Sequence, residues 1–160
     1  MLHIELDAAI VPNSGLGGLS LRERLIEIQY LFEGLGHTQE GAFELAAPFD
    51  LRYQLGKGEV VVAVDVRNGK VFLLSASLGY RGYLFEHIFV GMKVKDAMVL
   101  EPRLYYDEAE ELILCRGVPG LSLDVAEIDP PPESVPAMTI SAINVFAQET
   151  QMLAGQRGEW

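Results

Sequence analysis

The sequence of 160 residues predicts an α+β fold made of two tandem helix-then-antiparallel-strand repeats, with the helices packed on one face of the sheet. Three observations lead there. Gly18-Leu19-Ser20-Leu21-Arg22-Glu23-Arg24-Leu25-Ile26 aligns without gaps on Gly91-Met92-Lys93-Val94-Lys95-Asp96-Ala97-Met98-Val99, with glycine, apolar, basic and acidic positions in one order. Val64-Asp65-Val66 then matches Leu123-Asp124-Val125, and Leu74-Ser75-Ala76 matches Ile140-Ser141-Ala142. Each matched start is followed by short alternating runs separated by turn residues. On this reading residues 1–160 are a single domain of two repeats, about 18–78 and 91–146, joined by 79–90.

His3 to Leu6 alternates and predicts a short edge strand, and the segment from Pro12 to Gly18 predicts a turn. Ser20 and Glu23 have capping-box spacing, in which each side chain satisfies a free backbone N–H of the other residue. Leu21, Leu25, Ile28 and Phe32 follow on one helical face, so a helix is expected to about Glu33, ended by Gly34-Leu35-Gly36. Residues 34–48 read as a loop that the second half lacks. Strands are expected over Leu51–Leu55, Val60–Val66 and from Lys70, with Asn68-Gly69 supplying a type I′ hairpin. The second half predicts a helix over Lys93–Leu100, halted by Pro102. Extended segments follow at Leu104–Tyr106, Glu111–Arg116, Leu121–Ala126 and Met138–Phe146, with Pro130-Pro131-Pro132 as an exposed connection and a frayed tail after Gln148.

Composition narrows the class of function. Nearly half the residues are hydrophobic, enough for a real core without metal or disulfide. The net charge is −11, and residues 101–135 concentrate it, with nine acidic side chains against Arg103 and Arg116. Such a field repels nucleic acid and anionic membrane and attracts a basic partner. Cys115 is the single cysteine and lies in an apolar run, which favours an inert thiol and a reducing cytoplasm. The N-terminus does not read as a signal peptide, and no apolar run has the length of a membrane span.

Catalytic patterns are weak. Gly15-Leu16-Gly17-Gly18 matches neither the dinucleotide nor the P-loop spacing. His3, His37 and His87 are too scattered for a metal site, so no metal and no cofactor is expected. Ser75 and Ser141 read as packing residues. Asp65 and Asp124 lie opposite their apolar neighbours, placed to pair across the sheet or to face a partner. The densest aromatic-plus-cation cluster is the bridge, with Tyr80, Arg81, Tyr83, Phe85 and His87, and Tyr105 and Tyr106 adjoin the acidic stretch. Tyr and Arg are enriched at binding hot spots.

The paired runs Gly18–Ile26 and Gly91–Val99, with the strands after each, resemble the helix-then-hairpin unit of the SmpA/BamE outer-membrane assembly proteins. In tandem the plan is similar to that of the β-lactamase inhibitor protein, and small acidic chains of this build also look like immunity proteins of bacterial polymorphic toxin systems. The chain departs from the first two in showing no lipoprotein signal and no disulfide framework. The resemblance implies a cytoplasmic, non-enzymatic immunity protein that blocks a basic toxin domain by direct binding. Its expected contacts are Asp107, Glu108, Glu110 and Glu111, with Arg81 and the anchors Tyr80, Tyr83, Tyr105 and Tyr106. Two alternatives stand beside it. One is a small-molecule-binding or hydrolytic enzyme with a pocket under the 34–48 loop, using His37 and Glu40; the other is a homo-oligomer joined through sheet edges.

Overall fold

The computed structural model describes residues 4–29 and 43–160. A small ribbon of β1 (Gly15–Leu16) and β2 (Leu19–Ser20) precedes helix α1 (Leu25–Ile28). Four strands follow: β3 (Phe43–Ala47), β4 (Asp50–Leu55), β5 (Val60–Asp65) and β6 (Lys70–Ala76). After helix α2 (Val94–Leu100) come β7 (Leu104–Asp107), β8 (Leu112–Cys115), β9 (Leu121–Val125) and β10 (Ile140–Phe146), then a short helix α3 (Leu153–Gln156). Strands β3 to β10 form one antiparallel sheet in the order β3-β4-β5-β6-β10-β9-β8-β7. Two four-stranded meanders therefore meet where β6 pairs with β10.

This sheet overturns the expected fold class. Among the described residues the α-helices span four, seven and four residues, too little to build a helical layer from repeated helix-plus-strand units. The protein is mainly β. One face of the sheet carries Val60, Val62, Leu74, Leu123, Ile143 and Val145, all fully buried. It is covered by the connecting segments 4–29 and 77–100, mostly irregular chain that contributes Ile10, Leu16, Leu84, Ile88 and Val94 to the core.

Pairing register also displaces the equivalences read from the sequence. Ser75 lies opposite Asn144, and around that pair Leu74 faces Val145 as Ala76 faces Ile143. This arrangement sets Ser75 in correspondence with Asn144, not with Ser141. Asp124 lies opposite Ala142 on β9, the place that Ala63 takes opposite Leu73, so Asp65 and Asp124 are not counterparts. Likewise the Arg22 N–H bonds to the Val71 carbonyl as the Gly91 N–H bonds to that of Ile140, which puts Arg22, not Gly18, in the place of Gly91. Short matches of apolar and charged residues carry no register; buried faces and turns decide it.

The same pairing delays the first helix. Glu23 does accept the Ser20 N–H at 3.2 Å, half of the expected box. Residues 22–25 nonetheless bond to β6: Val71 donates to the Glu23 carbonyl, and Leu25 donates to that of Gly69. Helix α1 begins only after that, with Glu27 accepting the Arg24 N–H. The second half makes the same bonds, Ile140 donating to the Met92 carbonyl and Val94 to that of Met138, and α2 begins after them, within a residue of the expected start. The Asp65–Lys70 hairpin is present, but four residues close it and only Gly69 has a positive φ (71°), so the turn is not type I′. Residues 4–6 form no strand, whereas part of the expected 34–48 loop is strand β3. The tail after Gln148 is not frayed, because α3 and the residues after it dock against the β5–β6 hairpin.

Leu74 occupies the middle of the buried face. Leu74→Ala is expected to lower the unfolding free energy by about 2–5 kcal/mol in urea titration. Ile128→Ala, at a side chain 92% exposed, should leave it within about 0.5 kcal/mol.

Candidate binding face of the sheet

Strand alternation sets Val61, Ala63, Ser75, Ala142, Asn144, Ser122, Asp124, Leu112 and Leu114 on the second face, opposite the side that the segments 4–29 and 77–100 fill, and at its centre Ala63, Ser75, Ser122 and Asn144 are buried. Three neighbouring strands place polar residues at its centre. Ser75 on β6 donates its hydroxyl to Asn144 Oδ1 on β10. The Asn144 amide in turn donates to Ser122 Oγ at 3.2 Å and to Asp124 Oδ2 at 3.1 Å, both on β9. Ser75, Ser122 and Asn144 are all buried. No buried side-chain polar atom among the described residues is left without a partner. A chain of this kind in mid-sheet orients each member before anything binds.

The Arg52 guanidinium on β4, paired with Asp50 at 2.9 Å, favours the charged form of Asp124 on β9. Burial is the largest influence on Asp124 and, despite the Asn144 hydrogen bond and Arg52, leaves its carboxyl above the ordinary range.

A groove of about 510 Å³ opens beside Ser122, between the β8–β9 side of the sheet and the segment around Thr150. Phe72, Leu73, Phe146, Leu112 and Leu114 supply its apolar walls, and Asp107 and Glu110 stand at the β7–β8 turn. Its volume lies within the range of ligand pockets.

A second polar cluster is structural. Arg67 clamps Asp65 through Nε and Nη2 at 2.9 and 2.8 Å, and Trp160 Nε1 donates to the same carboxylate at 3.1 Å. Arg67 also donates to the Gln156 carbonyl at 2.7 Å and lies over the Phe49 ring, and Lys70 lies over Trp160. Burial pushes the Asp65 carboxyl up, but the bonds from Arg67 and Trp160 outweigh it and hold the group below its usual value. Asp65 thus pins the tail.

The expected contact residues divide between the two sides of the sheet. Tyr80 is a core residue at 3% exposure, whose hydroxyl accepts the Gly17 N–H and donates to the Ala8 carbonyl, each at 2.8 Å. It cannot anchor a partner in this conformation. Arg81 and Tyr83 are exposed on the bridge, with Tyr83 edge-on to Phe89 at 6.1 Å. That bridge packs on the core side, away from the groove. Tyr106 also packs against the core, while Tyr105 lies under the Arg116 guanidinium at 4.6 Å. Of the acidic set, Asp107 and Glu110 line the groove. Glu108 and Glu111 are exposed at the same turn, Glu111 accepting the Asp129 N–H at 3.2 Å. His37, Glu40 and the pocket expected beneath 34–48 lie outside the described residues.

Sequence reasoning missed Asn144, Ser122 and the groove. The available signal was a polar residue near the middle of three otherwise apolar strands: Ser75 in Leu-Leu-Ser-Ala, Ser122 and Asp124 in Leu-Ser-Leu-Asp-Val, and Asn144 in Ile-Asn-Val. Cys115 is buried, and burial raises its thiol pKa, as expected of an inert side chain. No group of three or more metal-ligating side chains occurs among the described residues, and no described helix is long and apolar enough to cross a membrane.

Comparison with known proteins adds a fold and no activity. No family model and no curated protein matches the chain. Among solved structures it is similar to the uncharacterized protein yfeY from Escherichia coli, with a TM-score of 0.56 and 16% identity over 85% of this chain and 98% of that one. At this identity the likeness concerns architecture alone.

The two aspartates predict opposite pH behaviour. Asp65 has a folded pKa below its unfolded one, so its contribution is present above the unfolded value and lost as pH falls through the folded value. Asp124 has a raised folded pKa, so its charge costs stability at neutral pH and acidification relieves that cost. Asp65→Asn should therefore lower stability at neutral pH by about 1 kcal/mol, after allowance for the exposure of Arg67, with the penalty shrinking towards acid. Asp124→Asn should raise the urea midpoint at neutral pH and lose that advantage on acidification. A less stable Asp124→Asn protein at neutral pH would show that the Asn144 bond outweighs burial.

Proposed function

We propose that this chain is a non-enzymatic binding protein that takes up a basic segment of another protein at the groove on the second face of its sheet. The observation that carries this reading is the groove on that face, whose lining includes Asp107 and Glu110 and no Lys, Arg or His. The hydrogen-bonded centre from Ser75 to Asp124 supports it, since side chains held in place before contact lose little freedom on binding. The net charge of −11 adds long-range attraction for a cationic partner and repels nucleic acid and anionic membrane. A cytoplasmic setting belongs to the same proposal, supported by the unpaired, buried Cys115. A basic toxin domain, as the resemblance to immunity proteins implies, is the kind of partner that fits. The enzymatic alternative rests on His37 and Glu40 and gains no support from the groove.

Selection of a displayed random-peptide library on the immobilised protein tests this reading. Enriched peptides should carry a net positive charge, bind more weakly as salt rises, and lose binding to Ala142→Trp, which fills the second face beside Asp124. Enrichment of neutral or acidic peptides, no enrichment, or binding indifferent to Ala142→Trp in a folded protein would refute it.

A further inference from the structure

We infer that the groove beside Ser122 is a receptor for one arginine side chain of the partner, its stem against the apolar walls and its guanidinium at the Asp107 and Glu110 end. This rests on the binding-face reading and names its anchor. The groove combines five large apolar side chains, Phe72, Leu73, Phe146, Leu112 and Leu114, with two carboxylates contributed by one turn. A small inorganic cation would leave the apolar walls unfilled, and an apolar ligand would bury the carboxylates without a counter-charge. An amphipathic organic cation satisfies both, because its methylenes pack while its head stays at the polar end.

Two features favour guanidinium over ammonium. Asp107 Oδ1 already accepts the N–H groups of Ala109 and Glu110, each at 3.0 Å, so the carboxylate is oriented before a ligand arrives. A planar fork of donors matches such a fixed carboxylate better than a point charge does. The walls also present Phe72 and Phe146, and guanidinium groups stack on aromatic faces. The protein uses that contact itself nearby, where Arg116 lies over Tyr105 on the adjoining strand.

The probe is N-acetyl-arginine methylamide, titrated into the full chain while the methyl resonances of Leu112 and Leu114 are followed by NMR. Saturable shifts are expected at both leucines. The isosteric but neutral citrulline amide should bind about tenfold more weakly or not at all, because it lacks the charge that pairs with the carboxylates. The Asp107→Asn/Glu110→Gln double variant, altered at a surface turn, should keep the parent urea midpoint and weaken arginine binding by a similar factor. Equal binding of citrulline amide, shifts that bypass Leu112 and Leu114, or a double variant that binds as the parent does would overturn the inference. Its failure is distinguishable from that of the broader reading. If the arginine probe fails while selected basic peptides still bind in a manner sensitive to Ala142→Trp, the anchor is wrong and the binding face stands. If the probe binds as expected and no basic peptide is selected, the arginine site stands and the protein-binding reading falls.

Discussion

Strands β6 and β10 meet at the middle of the sheet, with Ser75 opposite Asn144, and each remaining strand is reached from that seam through an antiparallel neighbour. The seam does two things at once. On one side Leu74, Ala76, Ile143 and Val145 are buried from water and form the centre of the core. On the other, Ser75 and Asn144 begin the polar chain that reaches Asp124. A slip of one residue in this pairing would exchange the two sides, exposing the core and burying the polar chain without partners. Register at the seam is therefore held by both the hydrophobic effect and the cost of unpaired polar groups.

The segments 4–29 and 77–100 fill one side of the sheet with apolar residues. The tail contributes at one rim. The Asp65–Arg67 clamp holds Gln156 and Trp160 against the β5–β6 hairpin, and Thr150 borders the groove. Asp65 and Asp124, both aspartates facing the same side, consequently have opposite electrostatic fates. A guanidinium and an indole N–H hold the first in its charged form. The second has one amide partner and a distant arginine, and burial dominates.

Strand positions were legible because they depend on local chemistry. Alternation and turn residues located β4 to β10 to within a few residues, and α2 ended as expected because Pro102 stops it and began as expected because its expected start already lay at the end of the pairing with β10. The start of α1 was not legible, since residues 22–25 bond to β6, a partner far along the chain. Tyr80 was misjudged for a similar reason. Its neighbourhood in sequence is polar and aromatic like a contact surface, but its hydroxyl finds Gly17 and Ala8 and the ring is buried with them. Of the candidate site, Asp107 and Glu110 could be found from charge, whereas Asn144 and Ser122 acquire meaning only as cross-strand neighbours.

What the amino-acid sequence determined alone was the position of strands β4 to β10, the acidic balance and the inert cysteine, because each arises from neighbours within a few positions. Tertiary structure decided which strands adjoin, which face carries the groove, and which acidic residues stand beside apolar walls. Those are outcomes of long-range pairing. The similarity between Gly18–Ile26 and Gly91–Val99 pointed to a register that the sheet does not adopt, since the bonds of residues 22–25 to β6 and of residues 91–94 to the start of β10 place Arg22 where that match placed Gly18.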